Sequence, residues 1–356
     1  MTVGSRIFTS GLALILFGAV SAPDAFAESA TTHWNITVGA QNSDMAVQVS
    51  TYFSREITID AGDSITWTSA TAEPHTVTFL ATGQAAPQDP FTPPAGSSSY
   101  SGSGFFNSGP LLGAAAPGFA QQYTLTFTQP GTYTYVCLFH PFMTGTVHVQ
   151  AAGAAYPESQ SAYDRSSKQL EQKLLAQGDA LRGTALGISK SDPTHAAVAA
   201  GVGNGTATVM RFLPGRLVVP VGGTVTWTNR DPMEPHTVTF GPEPQGPNAD
   251  FTSVGLDGPA HATISHLDQQ VSSGGFGGMI SSPIFKVTFS APGKYPYICM
   301  LHDMMGMVGT IIVGPVARDG ESLYDQPEAT QAQFTSVWGK DAAQHWAAEH
   351  NDVISK

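Results

Sequence analysis

The sequence is short of cysteine, of positive charge and of long apolar runs. Only two cysteines, Cys137 and Cys299, occur among 356 residues, which excludes a disulfide-rich scaffold. Lysine and arginine total 15 against 27 aspartates and glutamates, so the formal net charge is -12. Nucleic acid is therefore not an expected partner, because phosphate contacts require clustered lysine and arginine.

The one notable apolar run lies at the N-terminus, from Ile7 to Val20, and is short for a membrane span. Arg6 precedes it, and the small-x-small sequence Ala25-Phe26-Ala27 follows it. This pattern is typical of a secretory signal peptide. We predict a signal peptide over 1–27, with an uncleaved anchor as the alternative. The mature protein is then expected in the periplasm or outside the cell, without a stable membrane span.

What the sequence has is an internal repeat, which is the strongest guide to its organisation. The segment SITWTSATAEPHTVTF at 64–79 recurs as TVTWTNRDPMEPHTVTF at 224–240. The segment YTLTFTQPGTYTYVCLFHPFMTGTVHV at 123–149 recurs as FKVTFSAPGKYPYICMLHDMMGMVGTIIV at 285–313. The two cysteines occupy matching places in the copies, so we predict two tandem domains with no disulfide between them.

Within each copy the apolar runs are short and alternate at period two, as strands with one buried face do. The turn signals Pro130-Gly131 and Pro292-Gly293 separate them. The predicted fold class is all-β, with an antiparallel β-sandwich in each domain. The long Gly- and Pro-rich segments 80–120 and 241–283 are predicted surface loops.

A helix-like stretch follows each sandwich. Ser161-Ala-Tyr-Asp164 recurs as Ser322-Leu-Tyr-Asp325, and an apolar stripe at helical period comes after each. We expect these stripes, the first carried by Leu170, Leu174 and Leu181, to pack against a neighbouring domain. The predicted boundaries are domain 1 at 28–152, a linker with a helix at 153–200, domain 2 at 201–316 and a C-terminal helical tail at 317–356.

Each half carries two histidines, a cysteine and a methionine in the same order. Two imidazoles and a thiolate with a weak axial thioether select copper and describe an electron-transfer site. Structural zinc prefers more thiolates or short paired spacings, which the sequence lacks. We therefore predict two mononuclear type 1 copper ions per chain, with the ligands His75, Cys137, His140 and Met143 in domain 1 and His236, Cys299, His302 and Met307 in domain 2.

The axial ligand of domain 2 has a competitor, because four methionines lie near Cys299. Met143 lies two residues before Gly145, and Met307 lies two residues before the equivalent Gly309. The register of a strand with one buried face is tightly set, which favours Met307 over Met305. We expect the other methionines, Met300, Met304 and Met305, to form an exposed apolar rim where a redox partner docks.

Both halves resemble the cupredoxin family over most of 30–150 and 205–315. The sequence CLFHPFMTG at 137–145 is similar to an amicyanin-type ligand loop, and CMLHDMMGMVG at 299–309 to the longer plastocyanin-type loop. The resemblance implies Greek-key β-sandwiches, single-electron transfer, and support of each thiolate by the backbone of Thr76 or Thr237.

The functional prediction is an exported electron carrier. Its expected partners are redox proteins, such as a cytochrome or a terminal reductase or oxidase. One alternative is a copper oxidoreductase of the multicopper oxidase or nitrite reductase kind, but the histidine that would connect the thiolate site to a second copper is missing beside Cys137 and Cys299. A periplasmic copper store or chaperone is the other alternative. No catalytic residues are predicted.

Overall fold

The computed structural model describes residues 1–2, 31–113, 119–190, 196–242, 260–279 and 282–314. The predicted signal peptide, apart from its first two residues, and the predicted C-terminal tail at 317–356 lie outside the described residues. The described chain contains short strands and one long helix, which confirms the all-β class and the two-domain repeat.

The first sandwich contains ten strands in two sheets of five. Strands β2, β1, β4, β8 and β6 form one sheet, and β3, β10, β9, β5 and β7 form the other. The bounds are β1 His33–Gln41, β2 Val47–Phe53, β3 Glu56–Asp60, β4 Ser64–Ser69, β5 Thr78–Phe79, β6 Ser99–Tyr100, β7 Phe106–Asn107, β8 Gln122–Phe127, β9 Gly131–Val136 and β10 Thr144–Gln150.

The second sandwich repeats this order after helix α1, Gln160–Lys190. Its strands are β11 Ala196–Gly203, β12 Ala207–Leu213, β13 Arg216–Pro220, β14 Thr224–Arg230, β15 Thr239–Phe240, β16 His261–Ile264, β17 Val271–Ser272, β18 Ile284–Phe289, β19 Gly293–Ile298 and β20 Val308–Gly314. Strand β11 begins inside the segment 153–200 that was predicted as a linker. Both predicted loops also contain short strands, β6 and β7 in 80–120 and β16 and β17 in 241–283. Most strand pairs are antiparallel. The parallel pairs are β1 with β4, β3 with β10 and β6 with β8 in the first sandwich, and β11 with β14, β13 with β20 and β16 with β18 in the second.

Alternating side chains explain why these segments form half-buried strands. In β1, Trp34, Ile36 and Val38 are buried while the residues between them are exposed. Because successive side chains of a strand point to opposite faces, all three enter the space between the two sheets of domain 1. The pattern read from the sequence therefore fixes which face of the strand meets the core.

The two cores share the same aromatic arrangement. The rings of Trp67 and Tyr135 meet edge to face with centroids 5.3 Å apart, and those of Trp227 and Tyr297 do so at the same 5.3 Å. Trp67 Nε1 donates a hydrogen bond of 3.1 Å to the Tyr135 hydroxyl. Tyr135 and Tyr297 lie two residues before the cysteines, so each core anchors the strand that ends in a cysteine.

The two domains are joined through a common sheet. Strand β12 pairs antiparallel with β2, with Ala207 opposite Val49 and Val209 opposite Val47. One sheet of each domain thereby becomes half of a single ten-stranded sheet. Arg211 crosses the same boundary, because its guanidinium donates to the carbonyl oxygen of Asp44 in domain 1 and to that of Met305 in domain 2, each at 2.6 Å.

Helix α1 covers this junction. Leu170, Leu174 and Leu181 pack against an apolar cluster to which both domains contribute, including Val47 and Val209. The first apolar stripe thus packs as expected from its period. Burial of apolar area against strands of both domains stabilises their joint arrangement rather than either domain alone.

Two glycines of α1 provide a matched test of this packing. Gly178 is buried, and a β-carbon there would lie 2.2 Å from Val47 Cγ1, whereas one at Gly183 would have nothing within 4 Å. Gly183→Ala is expected to stabilise the protein by up to about 1 kcal/mol, the usual helix-propensity gain. Gly178→Ala is expected to destabilise it by roughly 1–3 kcal/mol through overpacking. Urea denaturation of the copper-loaded variants measures both, and equal effects would show that α1 does not rest closely on β2.

Candidate metal centres

The predicted donors of domain 1 come together at one end of its sandwich. His75 lies just before β5, Cys137 follows β9, and His140 belongs to the loop between β9 and β10. The Cys137 sulphur lies 3.9 Å from His75 Nδ1 and 3.6 Å from His140 Nδ1. All three residues are buried, and their donor atoms could hold one metal ion.

Domain 2 repeats the arrangement. Cys299 Sγ lies 3.9 Å from His236 Nδ1 and 3.4 Å from His302 Nδ1. The two Nδ1 atoms are 3.1 Å apart. These three residues are also buried and form a second candidate metal group. Cys137 and Cys299 are both free thiols in separate sites, as the sequence predicted.

The long loops hold the first histidine of each set. The backbone of His75 exchanges two hydrogen bonds with Leu111, of 3.1 and 2.7 Å. His236 exchanges two with Phe276, of 3.1 and 2.9 Å. The segments 80–120 and 241–283 therefore do more than connect strands, because each returns to fix a histidine against the sandwich.

In both loops the same backbone hydrogen bond joins the cysteine to the methionine, although the second loop is longer. The Cys137 N–H donates to the Met143 carbonyl at 3.0 Å, and the Cys299 N–H donates to the Met307 carbonyl at 3.0 Å. Both methionines are buried in the core clusters that contain the cysteines. Met305 lies instead in a 3-10 turn, Asp303–Met305, which accommodates the longer second loop.

The prediction that three methionines form an exposed rim is wrong for two of them. Met300 and Met305 are buried, and Met304 alone of the three is exposed. His140 and His302 are each 3% exposed, because the loops of the two domains face each other. The prediction of an exposed copper edge surrounded by apolar side chains treated each domain as if its ligand loop faced solvent. In the structure, the other domain covers that loop.

Backbone and hydroxyl groups support each thiol. The N–H of Thr76 points to Cys137 Sγ at 3.3 Å, and the N–H of Thr237 points to Cys299 Sγ at 3.3 Å. This confirms the contact that the resemblance implied. Each threonine hydroxyl also accepts a hydrogen bond of 2.8 Å from the N–H that follows the cysteine, at Leu138 or Met300.

The surroundings favour ionised sulphur. Burial alone raises the pKa of the Cys137 thiol, but hydrogen bonds from His140 and His75 outweigh it and lower the pKa to about 5. Burial also opposes ionisation of Cys299, yet the charge of His302 and a hydrogen bond from His236 bring its pKa well below the usual value. A thiolate is the form that binds a metal, so the donor sets fit the copper ion that sequence reasoning assigned to them.

A glycine lies against each first histidine. Gly39 and Gly201 have positive φ angles of 69° and 74°, at irregularities of β1 and β11. A β-carbon would lie 2.6 Å from His75 Nε2 at Gly39 and 2.0 Å from His236 Nε2 at Gly201. Sequence reasoning missed both positions, and their only signal was a glycine inside a strand pattern.

Two glutamates lie between the centres, and sequence reasoning missed them as well. Glu73 and Glu234 precede the first histidines in matching Glu-Pro-His sequences, which was the available signal. His140 Nε2 lies 3.7 Å from Glu73 and 3.5 Å from Glu234. His302 Nε2 lies 3.9 Å from Glu73 and 3.4 Å from Glu234. Burial, and then the charge of Glu234, raise the pKa of Glu73 to about 7.

Four histidines in the described part of the chain belong to neither centre. His33, His261 and His266 are exposed, and His148 is half-buried on β10. The structure brings none of the four into a candidate metal group within the segments it describes. His195, His345 and His350 lie outside the described residues.

Comparison with known proteins agrees with this geometry. A model of the plastocyanin/azurin family of copper binding proteins matches the chain twice, over 35–150 and 196–314. Amicyanin of Paracoccus denitrificans is 32% identical over 148 residues, which cover 40% of this chain and 94% of that protein. Amicyanin-alpha of Methylorubrum extorquens is 30% identical and matches over 41% of this chain and 99% of its own length. A chloroplastic plastocyanin of Tetradesmus obliquus is 29% identical over 42% of this chain and 86% of its own.

Proposed function

This chain belongs to the plastocyanin/azurin family of copper-binding proteins, and we propose that it is an electron carrier with one type 1 copper site in each domain. The observation that carries the proposal is the duplicated cluster of two imidazole Nδ1 atoms around a buried cysteine sulphur. The proposed ligands are His75, Cys137, His140 and Met143 in domain 1 and His236, Cys299, His302 and Met307 in domain 2.

Copper held by two imidazoles, a thiolate and a weak thioether exchanges one electron. The chain's own residues keep each donor set rigid. The loop hydrogen bonds fix the distance between cysteine and methionine, and the Thr76 and Thr237 N–H groups stabilise negative charge on sulphur. Burial of all three strong donors keeps water out, so little rearrangement has to accompany a change of oxidation state.

A carrier is favoured over an oxygen- or nitrite-reducing enzyme. Such enzymes need a second centre with an open position for substrate. Cys137 is flanked by Val136 and Leu138, and Cys299 by Ile298 and Met300, so neither cysteine has the neighbouring histidine. A store or chaperone is less well supported, because both donor sets are enclosed rather than exposed for exchange.

We also propose that the protein is exported to the periplasm or beyond and exchanges electrons with a redox protein, such as a cytochrome or a terminal reductase or oxidase. The N-terminal pattern supports export. In the described segments, no helix has the length and apolar character needed to cross a membrane. The division into two domains, predicted at 28–152 and 201–316, belongs to the same proposal, with the second domain beginning at β11 rather than at 201.

Metal counting and redox titration of the purified full chain test the proposed function. Two coppers per chain, an intense thiolate-to-copper band and reversible one-electron cycles with copper retained are expected. With an artificial electron donor, no steady turnover of nitrite or oxygen should be seen. A colourless copper form would contradict the type 1 assignment, and steady turnover would favour the oxidoreductase.

The axial assignment predicts unequal effects of two neighbouring substitutions. Met307→Leu is expected to shift one of two midpoint potentials, because the axial ligand tunes the potential of a type 1 site. Met305→Leu, the matched control two residues away in the same buried loop, should leave both midpoints close to those of the unchanged protein. Spectroelectrochemical titration measures both, and the reverse pattern would make Met305 the ligand.

A further inference from the structure

The Glu73–Glu234 pair and the two imidazoles that face it lie between the proposed copper sites and are largely shielded from solvent. Glu73 is 5% exposed, and each carboxylate turns one oxygen towards His140 and the other towards His302. Each glutamate comes from one domain, so the pairing of β2 with β12 that joins the domains also places these donors together.

The contacts between these groups are too long for good hydrogen bonds. The four Nε2-to-oxygen distances run from 3.4 to 3.9 Å, whereas charge-assisted N–H···O bonds are about 2.7–2.9 Å long. A cation about 2.0–2.2 Å from each donor would separate neighbouring donors by about 3.4 Å in a tetrahedral shell. The observed spacing is closer to that of donors around an ion than to that of donors bonded to each other.

In the described part of the chain, no lysine or arginine balances the negative charge of the two carboxylates. Within the described segments, the ion-pair partners that the structure gives them inside 4.0 Å are the two histidines. Glu73 Oε2 is buried, faces His302 and has no hydrogen-bond partner. A buried carboxylate and a half-buried one, with no lysine or arginine within ion-pair distance in the described segments, are an arrangement that a bound cation would balance.

We propose that Glu73, Glu234 and Nε2 of His302 form a third metal site for a divalent cation of the zinc class, with His140 Nε2 within 3.7 Å of both carboxylates. One donor atom from each of Glu73, Glu234 and His302 lies within 4.8 Å of the other two. Carboxylate oxygen and imidazole nitrogen without thiolate suit Zn²⁺. Cu²⁺ also binds such donors, whereas Cu⁺ prefers sulphur, so the copper is loaded as Cu⁺ before zinc is added. With copper held through Nδ1 as proposed above, His302 would offer Nε2 to the third ion, and its Nε2 proton would pass to solvent. This last step rests on the proposed copper function.

The site is tested by adding Zn²⁺ to the copper-loaded full chain and removing unbound ion by gel filtration. One zinc per chain is expected beside an unchanged copper content, with only nitrogen and oxygen neighbours in zinc X-ray absorption. Glu234→Gln and Glu73→Gln should each lose this zinc and keep both blue sites. The matched control is Glu56→Gln, an exposed carboxylate beside His148, which should retain it.

Copper content and the blue band are measured on the same samples, so loss of the proposed function would be seen separately. The absence of zinc from the unchanged protein would overturn the third site even if both variants failed to fold. Zinc with a sulphur neighbour, or zinc that fades the blue band, would have entered the copper sites and would also overturn it. Equal zinc in the unchanged protein and Glu234→Gln would show that the carboxylates are not ligands.

Discussion

Cys137→Ser is expected to remove roughly half of the thiolate-to-copper absorption of the fully loaded protein, and Cys299→Ser the other half, because each thiolate serves one site. The reason is structural: the histidines whose Nδ1 atoms contact each sulphur belong to its own domain, His75 and His140 or His236 and His302. Visible absorption and copper content of the two variants measure the effect.

The two single variants control for each other, because each retains one complete donor set in the same chain. The double variant should be colourless. If one substitution abolished both bands, the sites would not be independent. A Cys137–Cys299 disulphide in the holo protein, detected by mass spectrometry, would contradict the assignment of both thiols to metal.

Gly201→Ala is expected to disrupt the domain 2 site although residue 201 donates no ligand. Its β-carbon would lie 2.0 Å from His236 Nε2, so the imidazole or the β11 backbone has to move. The left-handed backbone costs an alanine roughly 1–2 kcal/mol, and overpacking costs roughly 1–3 kcal/mol more. Displacing His236 should also weaken copper binding at this site by about 10- to 100-fold, as changes beside a ligand commonly do.

Gly222→Ala is the matched control for this substitution. Gly222 lies in the same domain at φ 83°, with nothing within 4 Å of its would-be β-carbon. It should show the backbone cost alone, with the blue band of domain 2 unchanged. Denaturation midpoints and copper titrations of both variants separate the two contributions. Equal behaviour of the pair would mean that the space beside His236 is not needed for the site.

Most of the proposed metal donors were identifiable because they are local in sequence, and the repeat marked His75 and His236. Cys137, His140 and Met143 share one loop, and the backbone hydrogen bond between Cys137 and Met143 leaves that loop little freedom. The alternation of Trp34, Ile36 and Val38 likewise predicts a strand with one buried face, since the period of a strand is set by backbone geometry. Because the sequence repeats, the same strands and donors were predicted for domain 2. The family match confirms the fold and the family.

The neighbours of those donors could not be predicted in this way. Glu73 and Glu234 are 161 residues apart in the numbering, and each appears in the sequence only as a carboxylate near a proline. They meet because β2 of one domain pairs with β12 of the other and α1 fixes that pairing. Strand edges pair through backbone groups that every residue possesses, so the sequence pattern does not identify the partner edge.

The sequence by itself thus determined the class of fold and the duplication, because strand periodicity is set by neighbouring residues, and it proposed the eight candidate ligands from repeated motifs. Only the tertiary structure decided that His140 and His302 are covered rather than exposed, that Gly201 has to leave room for His236, and that two carboxylates lie between the sites. Each of these depends on contacts between distant segments, whose distances are fixed by packing of the whole chain.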